Sequence, residues 1–260
     1  MKVVLFCGGQ GTRIRDYSDE LPKPMIPVGY RPVLWHLMKY YAAYGYMDFI
    51  LCLGYKADVI KNYFLNYDES LSNDFVLENG GEDIKLLHSD IDDWRITFVD
   101  TGMNASIAQR LVAVKSHLEG EELFLANYSD GLTDFPIPEL VEEHKQRGAV
   151  ASFLSIKPHH SFHVIDAPED NGWVSEIQDT SHADFWVNGG YFVLDQKIFD
   201  YINAGDEFVD QPFQKLIAES KLYTHKYNGF WGCMDTFKEK QMLDVLHDSG
   251  TAPWMRELAD

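Results

Sequence analysis

Five consecutive apolar or small residues, Val3–Cys7, run directly into the pair Gly8-Gly9, and this junction constrains the fold more than any other stretch. An unbroken apolar run of that length suits a strand covered on both faces, as in a parallel sheet. Glycine directly after it lets the backbone turn sharply and pass close to whatever lies beyond the strand end. The same grammar recurs along the chain. Phe49–Leu53, Arg95–Val99, Leu123–Tyr128 and Val150–Ile156 read as strands. Between them Pro32–Tyr44, Ala57–Tyr67, Ile107–Leu118 and Glu139–Arg147 read as helices, the first with Pro at its opening turn and Gly45 just past its end.

Strands alternating with helices predict an α/β chain, a Rossmann-like open and mainly parallel sheet flanked by helices. Beyond residue 157 the pattern becomes strand-rich, with Trp186–Leu194 and Tyr223–Tyr227 the clearest pieces. No repeat, low-complexity tract or Pro/Ser linker divides the 260 residues. We therefore expect one domain, 1–260, with a core at 1–156 and an elaboration at 157–260 near the carboxyl edge of the sheet, where open α/β folds take ligands.

Charge narrows the function. The chain carries a formal −19, yet residues 1–40 hold six Lys/Arg against three Asp/Glu, a local +3. An acidic chain is a poor partner for a nucleic-acid backbone, whereas its basic N-terminal segment suits a small anion. Three scattered cysteines (Cys7, Cys52, Cys233) without a CxxC suggest a reducing compartment and no structural zinc. Lys2 is followed by only five apolar or small residues before glycine, and no apolar run approaches the length of a membrane span, so a cytoplasmic protein without a membrane partner is expected.

Gly8-Gly9-Gln10-Gly11-Thr12-Arg13 can offer backbone N–H groups to an anion, although a plain strand–turn–helix connection would use the same glycines. A P-loop needs Lys-Ser/Thr after its last glycine, and here Thr12-Arg13 follows. A dinucleotide fingerprint needs another glycine where Ile14 stands. What remains is a triphosphate loop assisted by side-chain cations. Arg13 and Lys23 are the candidates, and Pro22 and Pro24 restrict the backbone on either side of Lys23. Two acidic residues stand out: Asp130 in Ser129-Asp130-Gly131 at a strand end, and Asp235 in GFWGCMDT. Each has an ordinary alternative, a turn residue for Asp130 and a helix N-cap before Thr236–Leu246 for Asp235. His159, His160, His163 and His182 match no zinc spacing and read as part of a polar loop region.

The pattern GGxGTR, then PKPM, then VGxxPVLWHLM resembles the sugar-1-phosphate nucleotidylyltransferases, and within them the bacterial glucose-1-phosphate cytidylyltransferase branch. The likeness continues through DFILCLGYKADVIKNYF, FVDTG, YSDG, VNGGYFVL, GFWGCMDT and APW, nearly the whole chain. It implies an enzyme in which residues 1–156 bind the nucleotide, CTP being favoured over other nucleoside triphosphates, and 157–260 bind a phosphorylated acceptor. It implies nucleotide contacts at Phe6, Gly8, Gly9, Gly11, Thr12, Arg13, Lys23, Thr101, Arg110 and Ser129. Acceptor contacts fall at Thr180, Asn188 and Gly189, and Asp130 with Asp235 would hold Mg²⁺. Arg13 and Lys23 would be the catalytic cations, and the acceptor phosphate would displace pyrophosphate without a protein nucleophile. Self-association into a homo-oligomer is compatible with this picture. Two other classes share single features. A metal-dependent glycosyltransferase also owns a strand-end aspartate, but Ser129-Asp130-Gly131 lacks an adjacent second one; a nucleotide-binding homologue without turnover would not need Arg13, Lys23, Asp130 and Asp235 together.

One motif departs from the family. Where the family has Glu-Lys-Pro, whose lysine holds the sugar phosphate, this chain has Asp179-Thr180-Ser181, and no lysine lies between Lys157 and Lys197. A different phosphorylated acceptor, a non-sugar one included, therefore stays open, as does replacement of the cation by His159, His160, His163 or His182. If Thr180 occupies the lysine's place, glucose 1-phosphate lacks a charge-assisted hydrogen bond of about 1.5–3 kcal/mol. Thr180→Lys should then raise kcat/KM for glucose 1-phosphate; efficient wild-type use of that sugar, unchanged in the variant, would remove the loop from the acceptor site.

Overall fold

The structure is a computed structural model that describes residues 1–9, 21–158, 163–167, 172–179 and 185–255. Its centre is a seven-stranded sheet: β1 (Val3–Phe6), β2 (Asp48–Leu53), β3 (Arg95–Asp100), β4 (Leu123–Asn127), β5 (Ala151–Ile156), β6 (Val187–Asp195) and β7 (Leu222–Tyr227). The spatial order is β7-β5-β6-β4-β1-β2-β3. All pairings are parallel except those of β6, which runs against both β4 and β5. The expected mainly parallel α/β sheet is thus present, and β6 and β7, from the later half of the chain, belong to the same sheet as β1.

Alternation along β1 shows why the run had to be apolar throughout. Val3 and Leu5 face a cluster with Val33, Leu37, Leu140 and Leu243, while Val4 and Phe6 face another with Leu111, Phe213 and Leu216. The first cluster packs under α1 (Val33–Ala43), α2 (Ala57–Leu65), α4 (Ile137–Arg147) and α6 (Phe237–Asp248); the second packs under α3 (Ile107–Ala113) and α5 (Gln211–Ala218). Several boundaries differ from the sequence reading. The helix expected over Ile107–Leu118 stops at Ala113 and continues as a 3-10 turn, Lys115–Leu118. The last helix is capped by Thr236, whose side chain accepts from the Glu239 N–H while Glu239 returns the bond, so Asp235 is not the N-cap.

A feature absent from the sequence reading is the antiparallel pair Phe75–Glu78 and Asp83–Leu86, with Gly80 and Gly81 at positive φ in its turn. A buried arginine anchors its base. Arg31, 1% exposed, donates to Ser72 Oγ and to the Asp68 carbonyl at 2.7 Å, stacks over the Tyr67 ring at 4.3 Å, and lies 3.5 Å from Asp90. Tyr67 donates to the same carboxylate at 2.9 Å. Removing one member of a buried pair strands the other. Arg31→Ala should therefore lower unfolding free energy by about 3–5 kcal/mol, read as a shift of the urea midpoint.

Because β1–β5 and β7 run the same way, their carboxyl ends share one edge. There lie Gly8 and Gly9 after β1, Gly54 after β2, Thr101 after β3, Ser129 and Asp130 after β4, Lys157 after β5 and the end of β7. The start of antiparallel β6, Asn188 and Gly189, reaches the same edge. No helix among the described residues is long and apolar enough to cross a membrane.

Candidate active site

Two aspartates more than a hundred residues apart meet because of one small ladder. Gly131–Thr133 and Trp231–Cys233 pair antiparallel, with Gly131 opposite Cys233, and the Met234 N–H donates to the Asp130 carbonyl at 2.9 Å. Asp130 precedes one strand of this pair and Asp235 follows the other, so both side chains arrive at the edge together. Ser129 supports the turn into Asp130. It sits at φ +67, fully buried, and its hydroxyl donates to the Phe6 carbonyl at 2.9 Å, tying the end of β4 to the end of β1.

Lys23 closes the group. It opens a 3-10 turn, Lys23–Met25, between Pro22 and Pro24, with Pro24 and Met25 buried. Its Nζ donates to Asp130 Oδ2 at 2.6 Å and also to Asp235 Oδ1. The ammonium is largely enclosed, with 13% of its side chain exposed. Burial opposes its charge, but the Asp130 carboxylate and the bonds to both aspartates outweigh that and hold it above its ordinary range. Burial pushes Asp130 up, and Lys23 counteracts it.

Asp130, Cys233 and Asp235 bring their ligand atoms within 4.8 Å of one another. Burial, reinforced by Asp130, drives the Cys233 thiol well above its ordinary value. The two carboxylates are hard oxygen donors of the kind that suit Mg²⁺ completed by water and phosphate.

Arg110 is 3% exposed and surrounded by acceptors. Its terminal nitrogens donate to the carbonyls of Leu53 (3.1 Å), Gly8 (3.1 Å) and Met103 (3.3 Å) and to Thr101 Oγ1 (2.7 Å), and Thr101 in turn donates to Leu53 at 2.7 Å. The guanidinium thus fastens together the ends of β1, β2 and β3, and it occupies the room that a side chain at Gly8 would need: a Cβ there would lie 1.9 Å from Arg110 Nη1. A Cβ at Gly9, by contrast, would meet none of the described residues within 4 Å. Phe6 is buried against Tyr128.

On the other side, Asn188 donates to Tyr128 OH at 3.2 Å and accepts the Gly190 N–H at 2.8 Å, while Gly189 accepts from Trp231 Nε1 at 2.9 Å. Sequence reasoning missed Tyr128 and Trp231, although both lie inside the motifs YSDG and GFWGCMDT. Gly11, Thr12, Arg13 and Thr180, with His159, His160 and His182, lie outside the described residues. The structure thus brings together Lys23, Asp130 and Asp235, with Phe6, Gly8, Gly9, Thr101, Arg110, Ser129, Asn188 and Gly189 along the same edge.

Comparison with known proteins covers nearly the whole chain. The nucleotidyl transferase family model matches residues 2–246. The chain belongs to the nucleotidyl transferase family. It is 36% identical over 256 residues to the glucose-1-phosphate cytidylyltransferase of Salmonella typhi, covering 98% of each chain. It is 34% identical to a protein of Bacillus subtilis named as a probable glucose-1-phosphate cytidylyltransferase, covering 98% of this chain and 99% of that one. In fold it resembles a UDP-glucose pyrophosphorylase solved with UDP-glucose, at TM-score 0.68, 13% identity, and 96% and 98% coverage. As a nucleotidyl transferase, the chain has its strand-end glycine, its enclosed lysine and its aspartate pair on one edge. Gly8→Ala should collide with Arg110 and destabilise this edge by about 1–3 kcal/mol, measurable as a lowered thermal midpoint together with loss of nucleotide-dependent stabilisation.

Proposed function

We propose that this enzyme is a cytidylyltransferase that joins CTP to a phosphorylated acceptor, a sugar 1-phosphate in the first instance, and releases pyrophosphate. The observation that carries this reading is the convergence of Lys23, Asp130 and Asp235 at the carboxyl edge of the sheet, beside the glycine turn after β1. The named relatives at 34% and 36% identity support the choice of CTP and of a sugar phosphate.

The acceptor phosphate is ionised at neutral pH, so an oxygen of that phosphate attacks the α-phosphorus while the bond to the departing pyrophosphate breaks. Little remains for the protein except alignment and relief of negative charge. Asp130 and Asp235 are the residues that would hold Mg²⁺, which when bound supplies charge neutralisation to the phosphates. Lys23, fixed between two prolines, directs its ammonium to the point where nucleotide and acceptor phosphates meet. In this reading residues 1–156 take the nucleotide, with Gly8 and Gly9 along the backbone and Gly11, Thr12 and Arg13 at the phosphates. Residues 157–260 take the acceptor through Asn188, Gly189 and Thr180. Thr101 and Arg110 act by holding the turn after β1. The three buried, unpaired cysteines suit a reducing, cytoplasmic setting.

Pyrophosphate release should be measured with CTP, UTP, dTTP and GTP against a panel of phosphorylated acceptors. CTP should be preferred at least tenfold; equal use of UTP or dTTP would overturn the choice of base. Asp130→Asn and Asp235→Asn should each lower turnover on the order of a hundredfold, since each removes a charged metal ligand. Both variants should stay folded, and near-normal rates with Mg²⁺ present would refute the metal assignment. Arg13→Ala should lower turnover more than it weakens nucleotide binding.

A further inference from the structure

One hairpin stands apart from the seven-stranded sheet with its apolar side chains in solvent. Its strands, Phe75–Glu78 and Asp83–Leu86, pair with each other and with no other strand among the described residues. All eight residues are exposed. The register sets Phe75 opposite Leu86 and Leu77 opposite Ile84. Residues directly opposite one another share a face, as do alternate residues of one strand. Phe75, Leu77, Ile84 and Leu86 therefore form one wholly apolar face, between 36% and 59% exposed. Val76, Glu78, Asp83 and Lys85 form the other.

Two strands alone are marginal in water, and further strands that extend an apolar face remedy this. The backbone shows where they can be added. The Leu87 N–H donates to the Asp74 carbonyl at 2.9 Å, so these two residues are a hydrogen-bonded pair. Bonded and non-bonded pairs alternate along an antiparallel ladder. Val76–Lys85 and Glu78–Asp83 are then bonded. At Phe75–Leu86 and Leu77–Ile84 the backbone N–H and C=O groups point outward, to the two edges of the hairpin.

Charge distinguishes those edges. A second copy laid antiparallel along Asp83–Leu86, with a two-fold axis at Ile84, lets Ile84 exchange both backbone bonds with its counterpart. Asp83 of each copy then falls opposite Lys85 of the other, in non-bonded positions where side chains approach most closely. Both ion pairs form at once. The same operation at Leu77, on the other edge, sets Val76 against Glu78 and makes no ion pair. A lysine alone would guard an open edge against pairing; the aspartate two residues away turns this edge into its own complement. Such a local match offsets the repulsion between copies of a chain carrying −19. It also joins the two apolar faces in one row, Leu77 and Ile84 of one copy beside Ile84 and Leu77 of the other.

We propose that the Asp83–Leu86 edge is an interface between two copies of this chain, joined about Ile84 into one four-stranded sheet.

Sedimentation velocity of the full chain over a range of concentrations tests the interface. The wild type should be a dimer, or an even-numbered assembly built from dimers. Asp83→Lys brings four lysines together across the axis and Lys85→Asp four aspartates, and like charges directly opposite are destabilising. Each variant should raise the dissociation constant at least tenfold and halve the mass. Asp83 also accepts from Asn79 within the turn, so a loss in Asp83→Lys alone would also follow from a damaged hairpin. Two further measurements separate these causes. The double exchange, Asp83→Lys with Lys85→Asp, should restore association to within threefold of the wild type. An equimolar mixture of the two single variants should form mixed dimers, since each supplies the charges that the other lacks. A wild type that stays monomeric at every concentration overturns the proposal and leaves the apolar face to a different partner. An odd-numbered assembly, or association that both single variants leave intact, overturns it as well. So does dissociation that neither the exchange nor the mixture reverses.

Discussion

The enclosed ammonium of Lys23 is the contact on which the rest of the site depends. Asp130 and Asp235 would repel each other at their present separation, and burial raises the pKa of Asp130. One positive charge between them offsets that repulsion, and it links the segment after β1, the end of β4 and the entry to α6. Those three pieces lie far apart in sequence, and the ladder between Gly131–Thr133 and Trp231–Cys233 and the Ser129–Phe6 bond bring them to one edge. The site is therefore held by electrostatics laid over a scaffold, where the scaffold supplies position and the lysine supplies compatibility. A divalent ion competing for the same carboxylates would meet a pair already gathered and partly desolvated.

Around this centre the protein uses polar groups in two distinct ways. Arg110, Thr101 and Ser129 direct their side chains inward, to backbone carbonyls at the strand ends, and so fix the shape of the edge. Gly9, Lys23, Asp130 and Asp235 lie where ligand chemistry can reach them. Arg110 shows how the two uses differ: family resemblance places it near the nucleotide, and its geometry shows a guanidinium whose terminal N–H groups meet protein oxygens. It packs directly against Gly8, whose missing Cβ makes room for it.

How much of this could be read in the sequence depended on the range of the interaction responsible. The strands and helices of the first half were legible, because burial on both faces leaves continuous apolar runs and amphipathic helices leave a period. Helix ends were less so: Thr236-x-x-Glu239 carried the capping signal openly, yet the neighbouring aspartate was the one considered as N-cap. The pair Phe75–Glu78 and Asp83–Leu86 was invisible because its side chains are exposed on both faces and no burial pattern marks them. The union of Asp130 with Asp235 depends on strand pairing across a hundred residues, which no local spacing encodes; only resemblance to a family suggested it.

The single antiparallel strand β6 has a consequence for how this chain can change over time. Because β5 ends and β6 begins at the same edge, the stretch from 157 to 186 leaves the sheet and returns to it at one place, like a detachable handle. Its length and chemistry can drift while every strand keeps its register, and the far end of the edge, on β1, β2 and β3, is insulated from the alteration. An engineer could graft a foreign loop between Ile156 and Val187 without disturbing the pairing of any strand in the sheet.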